Sequence, residues 1–208
     1  MKKLVVLVFV SLIATSAFAT IDPDANSVGI YFDGVIADQV SGTLTAFDRV
    51  EVYIVVTSHA NAISGLRFRW LLDMDPALTS EISQLNDPAA MYGPGAVPVG
   101  TGTFLDGEVA VGWADPLPSV DGNTIAVTRK FFTFVDIGVD FYLRPADGQD
   151  AITYTWDDGL GKTIFEDPLG TLSGDPMLPV ALANGGYLYT GVVATESASF
   201  GSVKSLFR

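Results

Sequence analysis

The chain has no cysteine and a single histidine, His59. The first absence excludes a disulfide scaffold, a thiolate metal site, a cysteine nucleophile and an acyl-cysteine anchor. The second excludes a histidine-rich metal site. Basic residues are also few, with 11 Lys and Arg against 24 Asp and Glu in 208 residues, for a formal net charge of −13. Nucleic-acid binding rests on Lys and Arg neutralising phosphates, and anionic lipid surfaces attract the same cations. Neither is an expected partner. What the chain does have is apolar surface to bury: it is 49% hydrophobic and 11% aromatic, too much for a disordered chain. Its 21 Gly and 11 Pro fall short of a collagen or low-complexity composition.

Met1-Lys2-Lys3 is a short basic start, Leu4 to Ala14 is apolar, and Ala17-Phe18-Ala19 is a small-x-small cleavage site. That pattern predicts a secretory signal peptide over residues 1–19 and a mature chain of 20–208. The rival, an uncleaved membrane helix, needs about 20 apolar residues. Even stretched to Ala19 the run falls short of that. Cleavage removes Lys2 and Lys3 and takes the charge to −15. The expected setting is secreted, periplasmic or cell-surface in a bacterium, with no membrane span after cleavage.

The acid is mostly aspartate, 19 Asp to 5 Glu. Aspartate is a turn residue, so a loop-rich fold explains the excess. Calcium explains it too, because it takes carboxylate and carbonyl oxygens. Asp22, Asp24 and Asn26 have the alternate spacing of a Ca²⁺ loop, and Asp33 stands at the twelfth position. Ser27 sits where such a loop has its glycine, and a strand pattern begins there. Asp22, Asp24, Asn26 and Asp33 are the candidate metal ligands. No other cofactor is expected.

Along 20–208 the dominant signal is alternation with period two, which means strands. Val28, Ile30 and Phe32 alternate with Gly29, Tyr31 and Asp33. Val50, Val52, Ile54 and Val56 do the same, as do Leu66, Phe68 and Trp70, and Val109, Val111 and Trp113. Further strand-like runs are 125–135, 139–143, 152–156 and 187–193. Asp-Gly pairs at Asp33, Asp106, Asp121, Asp147 and Asp158 punctuate them as turns. About eight strands with such turns predict an all-β, antiparallel sandwich of one domain, 20–208, in the immunoglobulin-like class. Helix is scarce: Thr79 to Leu85 has room for two turns, and Ser199 to Arg208 reads as a short amphipathic C-terminal helix capped by Ser199. Two stretches, 73–100 and 167–186, read as long loops, and long loops tend to carry function.

Several pieces resemble a group of uncharacterised secreted bacterial proteins. They are Asp22-Pro23-Asp24-Ala25-Asn26 with Val28 to Asp33; Ala114-Asp115-Pro116-Leu117-Pro118; Phe141-Tyr142-Leu143-Arg144-Pro145; and the closing run Thr195 to Arg208. The resemblance implies a sandwich similar to cohesin and carbohydrate-binding modules. It brings no catalytic residues with it.

No catalytic constellation emerges. A hydrolytic triad would have to use His59, at a strand end, and no Gly-x-Ser-x-Gly elbow supplies a nucleophile. Asp33, Glu51, Asp140, Asp157 and Asp158 are available to a glycosidase pair, but among 24 carboxylates some pair meets the spacing by chance. Gly159 to Thr163 lacks the full phosphate-loop motif and lies between strand patterns. Trp70, Trp113 and Trp156 fall on the apolar phase of their strands and are expected in the core. Tyr31, Tyr53 and Tyr142 fall on the polar phase beside Asp33, Glu51 and Asp140, and are the candidate ligand-binding residues, for a glycan. The same phase serves equally as a solvated sheet surface. Arg67 and Arg69 also point outward, toward carboxylates of a neighbouring strand.

The expected function is a non-catalytic, extracytoplasmic β-sandwich that binds a protein or glycan partner at the cell surface or joins a surface assembly. The alternatives are a secreted polysaccharide hydrolase using an Asp pair, and a small outer-membrane barrel, for which several runs are too short. Phe200–Arg208 either docks on the sandwich, since Val203, Leu206 and Phe207 favour burial, or marks the chain for a partner.

Overall fold

The computed structural model describes residues 27–32, 39–57, 62–85, 87–149, 152–156, 162–164 and 179–188. The expected signal peptide, the Ca²⁺ candidates Asp22, Asp24, Asn26 and Asp33, His59, and the expected C-terminal helix lie outside these residues.

Two sheets form a sandwich, as the alternation predicts. The smaller has the order β1-β3-β8-β5, formed by Ser27–Tyr31, Arg49–Thr57, Thr124–Thr133 and Ile82–Gln84, all antiparallel. The larger is built on β4 (Ile63–Asp73). Along one side of β4 runs β7 (Asp106–Leu117), with β6 (Ala96–Gly102) outside it. The other side is shared by two strands placed end to end. β10 (Thr153–Trp156) faces Ile63 to Arg67, and β9 (Val139–Arg144) faces Arg69 to Asp73. β11 (Lys162–Ile164) lies outside β10, and β12 (Ala181–Ala183) lies outside β9. β2 (Ser41–Gly42) runs parallel to β12, the one parallel pairing among the described residues.

Why these residues form strands is visible in β4. Leu66, Phe68, Trp70 and Leu72 are buried in turn while Arg67, Arg69 and Leu71 face outward. The register slips between Ile63 and Gly65, a bulge that lets Ile63 and Leu66 share the inward face although three residues apart. Val52, Ile54 and Val56 of β3 and Val127 and Phe131 of β8 meet them from the smaller sheet. Trp70 and Trp113 are core residues as expected, and Trp113 Nε1 donates to the Tyr92 carbonyl at 2.8 Å. β7 and β8 lie in different sheets, and the chain between them reverses at Asp121-Gly122: both have positive φ, and Val120 and Asn123 exchange hydrogen bonds across them.

The stretch 73–100 is not the loop that its Pro and Gly content predicts. Asp75 caps a 3-10 turn, Pro76–Glu81, by accepting from the Ala77 amide at 2.9 Å. The two helical turns expected over 79–85 are therefore a shorter turn followed by β5, because Ile82 pairs with Thr133 and buries its side chain. Asp87 caps the five-residue helix α1 (Pro88–Tyr92), and β6 follows. The stretch 167–186 likewise contains β12.

Candidate functional site

The outer face of the larger sheet collects the side chains that leave the core from β4, β6 and β7. Arg67 of β4 sits across from Ala110 and beside Glu108 of β7, and Arg69 sits opposite Glu108 and beside Asp106. This diagonal register puts opposite charges within reach. Arg67 Nη2 is 2.6 Å from Glu108 Oε1, and its Nε also donates to that oxygen at 3.0 Å. Arg69 forks onto both oxygens of Asp106, at 2.9 and 2.8 Å, and reaches Asp147 Oδ1 at 3.1 Å. The Asp147 amide in turn donates to Glu108 Oε2 at 3.2 Å. The Arg67 guanidinium holds the Glu108 carboxyl below the usual carboxylate range, and Arg69 does the same for Asp106. Asp106 raises the Arg69 guanidinium in return.

Beside this ladder the face is apolar and shallow. Val97 and Val99 of β6 are 66% and 68% exposed. They lie across from Gly112 and Ala110, whose small size leaves the valines standing above the sheet. Among the described residues β6 pairs with β7 alone, and Pro98 interrupts the amide donors of that edge strand.

The three tyrosines expected on one polar face are divided. Tyr31 and Tyr53 are cross-strand partners on the smaller sheet, whereas Tyr142 is on the larger. Tyr31 is buried with Val40, Val55 and Leu182, a small second core outside the smaller sheet, against which Tyr53 packs. Tyr53 is half-buried and its hydroxyl donates to Glu51 Oε2 at 2.6 Å. Glu51 also meets Lys130 at 2.5 Å, and Lys130 and Tyr53 together lower its pKa. Tyr142 is buried with the Arg144 guanidinium 4.8 Å over its ring, a cation–π contact. The three tyrosines therefore do not form one platform: period two assigns a face within a sheet, Tyr142 belongs to the other sheet beneath Arg144 of its own strand, and Val40 and Leu182 pack over Tyr31.

Asp140, one of the glycosidase candidates, is wholly buried and accepts the Tyr187 and Leu188 amides at 2.9 Å each. It is a structural acceptor. Among the described residues no cluster of three or more His, Cys, Asp or Glu is close enough to hold a metal ion. Two features had no reading in the sequence. Arg129 points into the core, its guanidinium stacked on Trp70 and donating to the Phe104 carbonyl at 3.2 Å, and burial lowers its pKa strongly. Arg129 falls on the inward phase of β8, so the alternation could have shown it. A cavity of about 150 Å³ opens between α1 and β8, lined by Met91, Tyr92, Leu117 and Val127. It is apolar.

No protein-family model matches the chain, and no curated protein matches it. Solved structures do. The sixth cohesin of scaffoldin B from Acetivibrio cellulolyticus, in complex with a Cel5 dockerin, is similar at 9% identity and a TM-score of 0.45, over 77% of this chain and 99% of that one. A type II cohesin domain from the same organism's cellulosome is 12% identical with a TM-score of 0.44, over 77% and 96%. A cohesin in a type I cohesin–dockerin complex from Clostridium thermocellum is 11% identical with a TM-score of 0.42, over 76% and 98%. These likenesses are distant, and the β-sandwich of this chain rests on its own two sheets.

Proposed function

We propose that the chain is a non-catalytic, extracytoplasmic protein-binding module that takes its partner on the outer face of the larger sheet. The observation that carries this reading is the pair of exposed valines, Val97 and Val99, on a floor of Ala110 and Gly112 and bordered by the Arg67–Glu108 and Arg69–Asp106 pairs. An apolar centre with a charged border is how protein interfaces are built. Aliphatic side chains give a sugar ring no aromatic surface to stack on, so a protein suits this face better than a glycan. Pro98 blunts the edge of β6, so the partner lies on the face and does not extend the sheet. The carboxylates here are poor general acids, because their arginines keep them ionised. Met1 to Ala19 supports the extracytoplasmic setting.

The test is affinity capture from the source organism's extracellular and envelope fractions, with the native protein and with a Val97→Asp/Val99→Asp variant that melts at the same temperature. A protein held by the first and lost by the second is the expected result. Equal capture by both overturns the assignment of the face. Binding to a glycan array that a chelator abolishes, with no protein captured, overturns the assignment of the partner.

A further inference from the structure

Among the described residues Arg129 is the one buried cation, 5% exposed on the inward phase of β8. Burying a charge is costly unless an opposite charge and hydrogen bonds compensate it. Arg129 has little of either. Of its five N–H donors, one meets a protein acceptor, the Phe104 carbonyl in the β6–β7 turn, at 3.2 Å. Its guanidinium lies on the Trp70 ring, and the Phe131 ring centre is 5.8 Å away. Aromatic faces attract a cation but accept none of the N–H bonds in the guanidinium plane. The ion pairs among the described residues belong to Arg67, Arg69 and Lys130, so no described carboxylate answers Arg129.

The surroundings add donors rather than acceptors. Trp70 is 3% exposed, and its Nε1 has no hydrogen-bond partner among the described residues. Trp113, on the adjacent strand β7, shows the ordinary outcome, since its Nε1 reaches the Tyr92 carbonyl. The Tyr92 phenol feels the Arg129 charge, but burial holds it above its usual range, so it stays protonated and is no counter-ion. Arginine does not shed its proton in a protein, so the charge stays. Water would take the N–H bonds and leave that charge unanswered. We propose that Arg129 and Trp70 Nε1 bind a small monovalent anion of halide type inside the sandwich. One buried positive charge calls for one negative charge. The narrow exposure of both side chains favours a halide over phosphate or sulfate, which bring more charge and need more donors. The anion completes the core between the sheets, and the site is independent of the face assigned to the partner.

Thermal melts of the purified protein in sodium bromide test it, with the ionic strength held constant by sodium gluconate, whose anion is too large for the site. Once the site is saturated, the melting temperature of the native protein is expected to rise by about 3–5 °C per tenfold increase in bromide. Arg129→Met keeps the length of the side chain and removes the charge, and is expected to show no such rise. General salt effects act on both chains alike, so the difference between them is the readout. In gluconate alone Arg129→Met is expected to melt at or above the native temperature, because an unanswered charge has left the core. A bromide dependence equal in the two chains overturns the proposal, and so does its absence from the native chain. Crystals of the native protein grown in bromide give a second readout that needs no variant. An anomalous peak at hydrogen-bond distance from the Arg129 guanidinium is the expected result, and a water molecule or a carboxylate of the chain in its place overturns the proposal.

Discussion

The two sides of β4 receive the same kind of sequence and come to opposite ends. Toward β7, Asp106 and Glu108 face outward at every second residue and meet Arg69 and Arg67 at the surface. Toward β9, Asp140 and Tyr142 face outward with the same spacing, and both are buried, one under the 186–188 backbone and one beneath Arg144. The lesson is that an outward position on a sheet is a direction only. A later segment decides whether it meets water, and the same carboxylate chemistry becomes a solvated ion pair on one side and an internal hydrogen-bond acceptor on the other.

The largest effect separating the two sides is at Asp140. Asp140→Ala leaves the Tyr187 and Leu188 amides without their acceptor and is expected to cost about 2–4 kcal/mol in denaturant unfolding. Asp140→Asn, which keeps one oxygen, costs less. A loss below about 0.5 kcal/mol would erase the contrast. On the open side Arg69→Ala breaks contacts with Asp106 and Asp147, yet the pairs are solvated, so the cost is about 0.5–1 kcal/mol and shrinks in high salt.

Acid sharpens the same comparison. Asp106, Glu108 and Glu51 have lowered pKa values in the folded chain, so between the folded and unfolded values the unfolded chain binds more protons. Their contribution is complete above the ordinary carboxylate range and is lost as the pH falls below about 4 and through the folded values. An Arg67→Ala/Arg69→Ala chain should show a shallower stability loss over that window in urea titrations at stepped pH. The smallest effect belongs to Val97→Asp/Val99→Asp. These side chains stand in solvent, so stability should stay within about 0.5 kcal/mol while partner capture disappears.

The alternation in β3, β4 and β7 is readable because one side of each strand is core over most of its length, and the same phase places Trp70 and Trp113 inward and Arg67 and Arg69 outward. β6 was not readable. Val97 and Val99 alternate with Pro98 and Gly100, residues that signal a break everywhere except on an edge strand, and no local feature tells an edge from a loop. Since β6 carries the exposed valines, the centre of the candidate face was hidden in a stretch that looked irregular. Tyr31 and Tyr142 are the opposite case. Their phase in the strand is the outward one, but the residues that cover Tyr31, Val40 and Leu182, are distant in sequence, as are those over Asp140 beside Tyr142.

The Asn184 side chain also sets an order of events. It accepts the Leu44 amide at 3.3 Å across 140 residues of sequence, and β12 beside it joins β2 to β9. Among the described residues β2 therefore has no strand to pair with until β12 exists. Such remote pairings form slowly, since the loop must close before any contact repays it. A chain that emerges N-terminus first therefore finishes its larger sheet only once residues 181–188 are available.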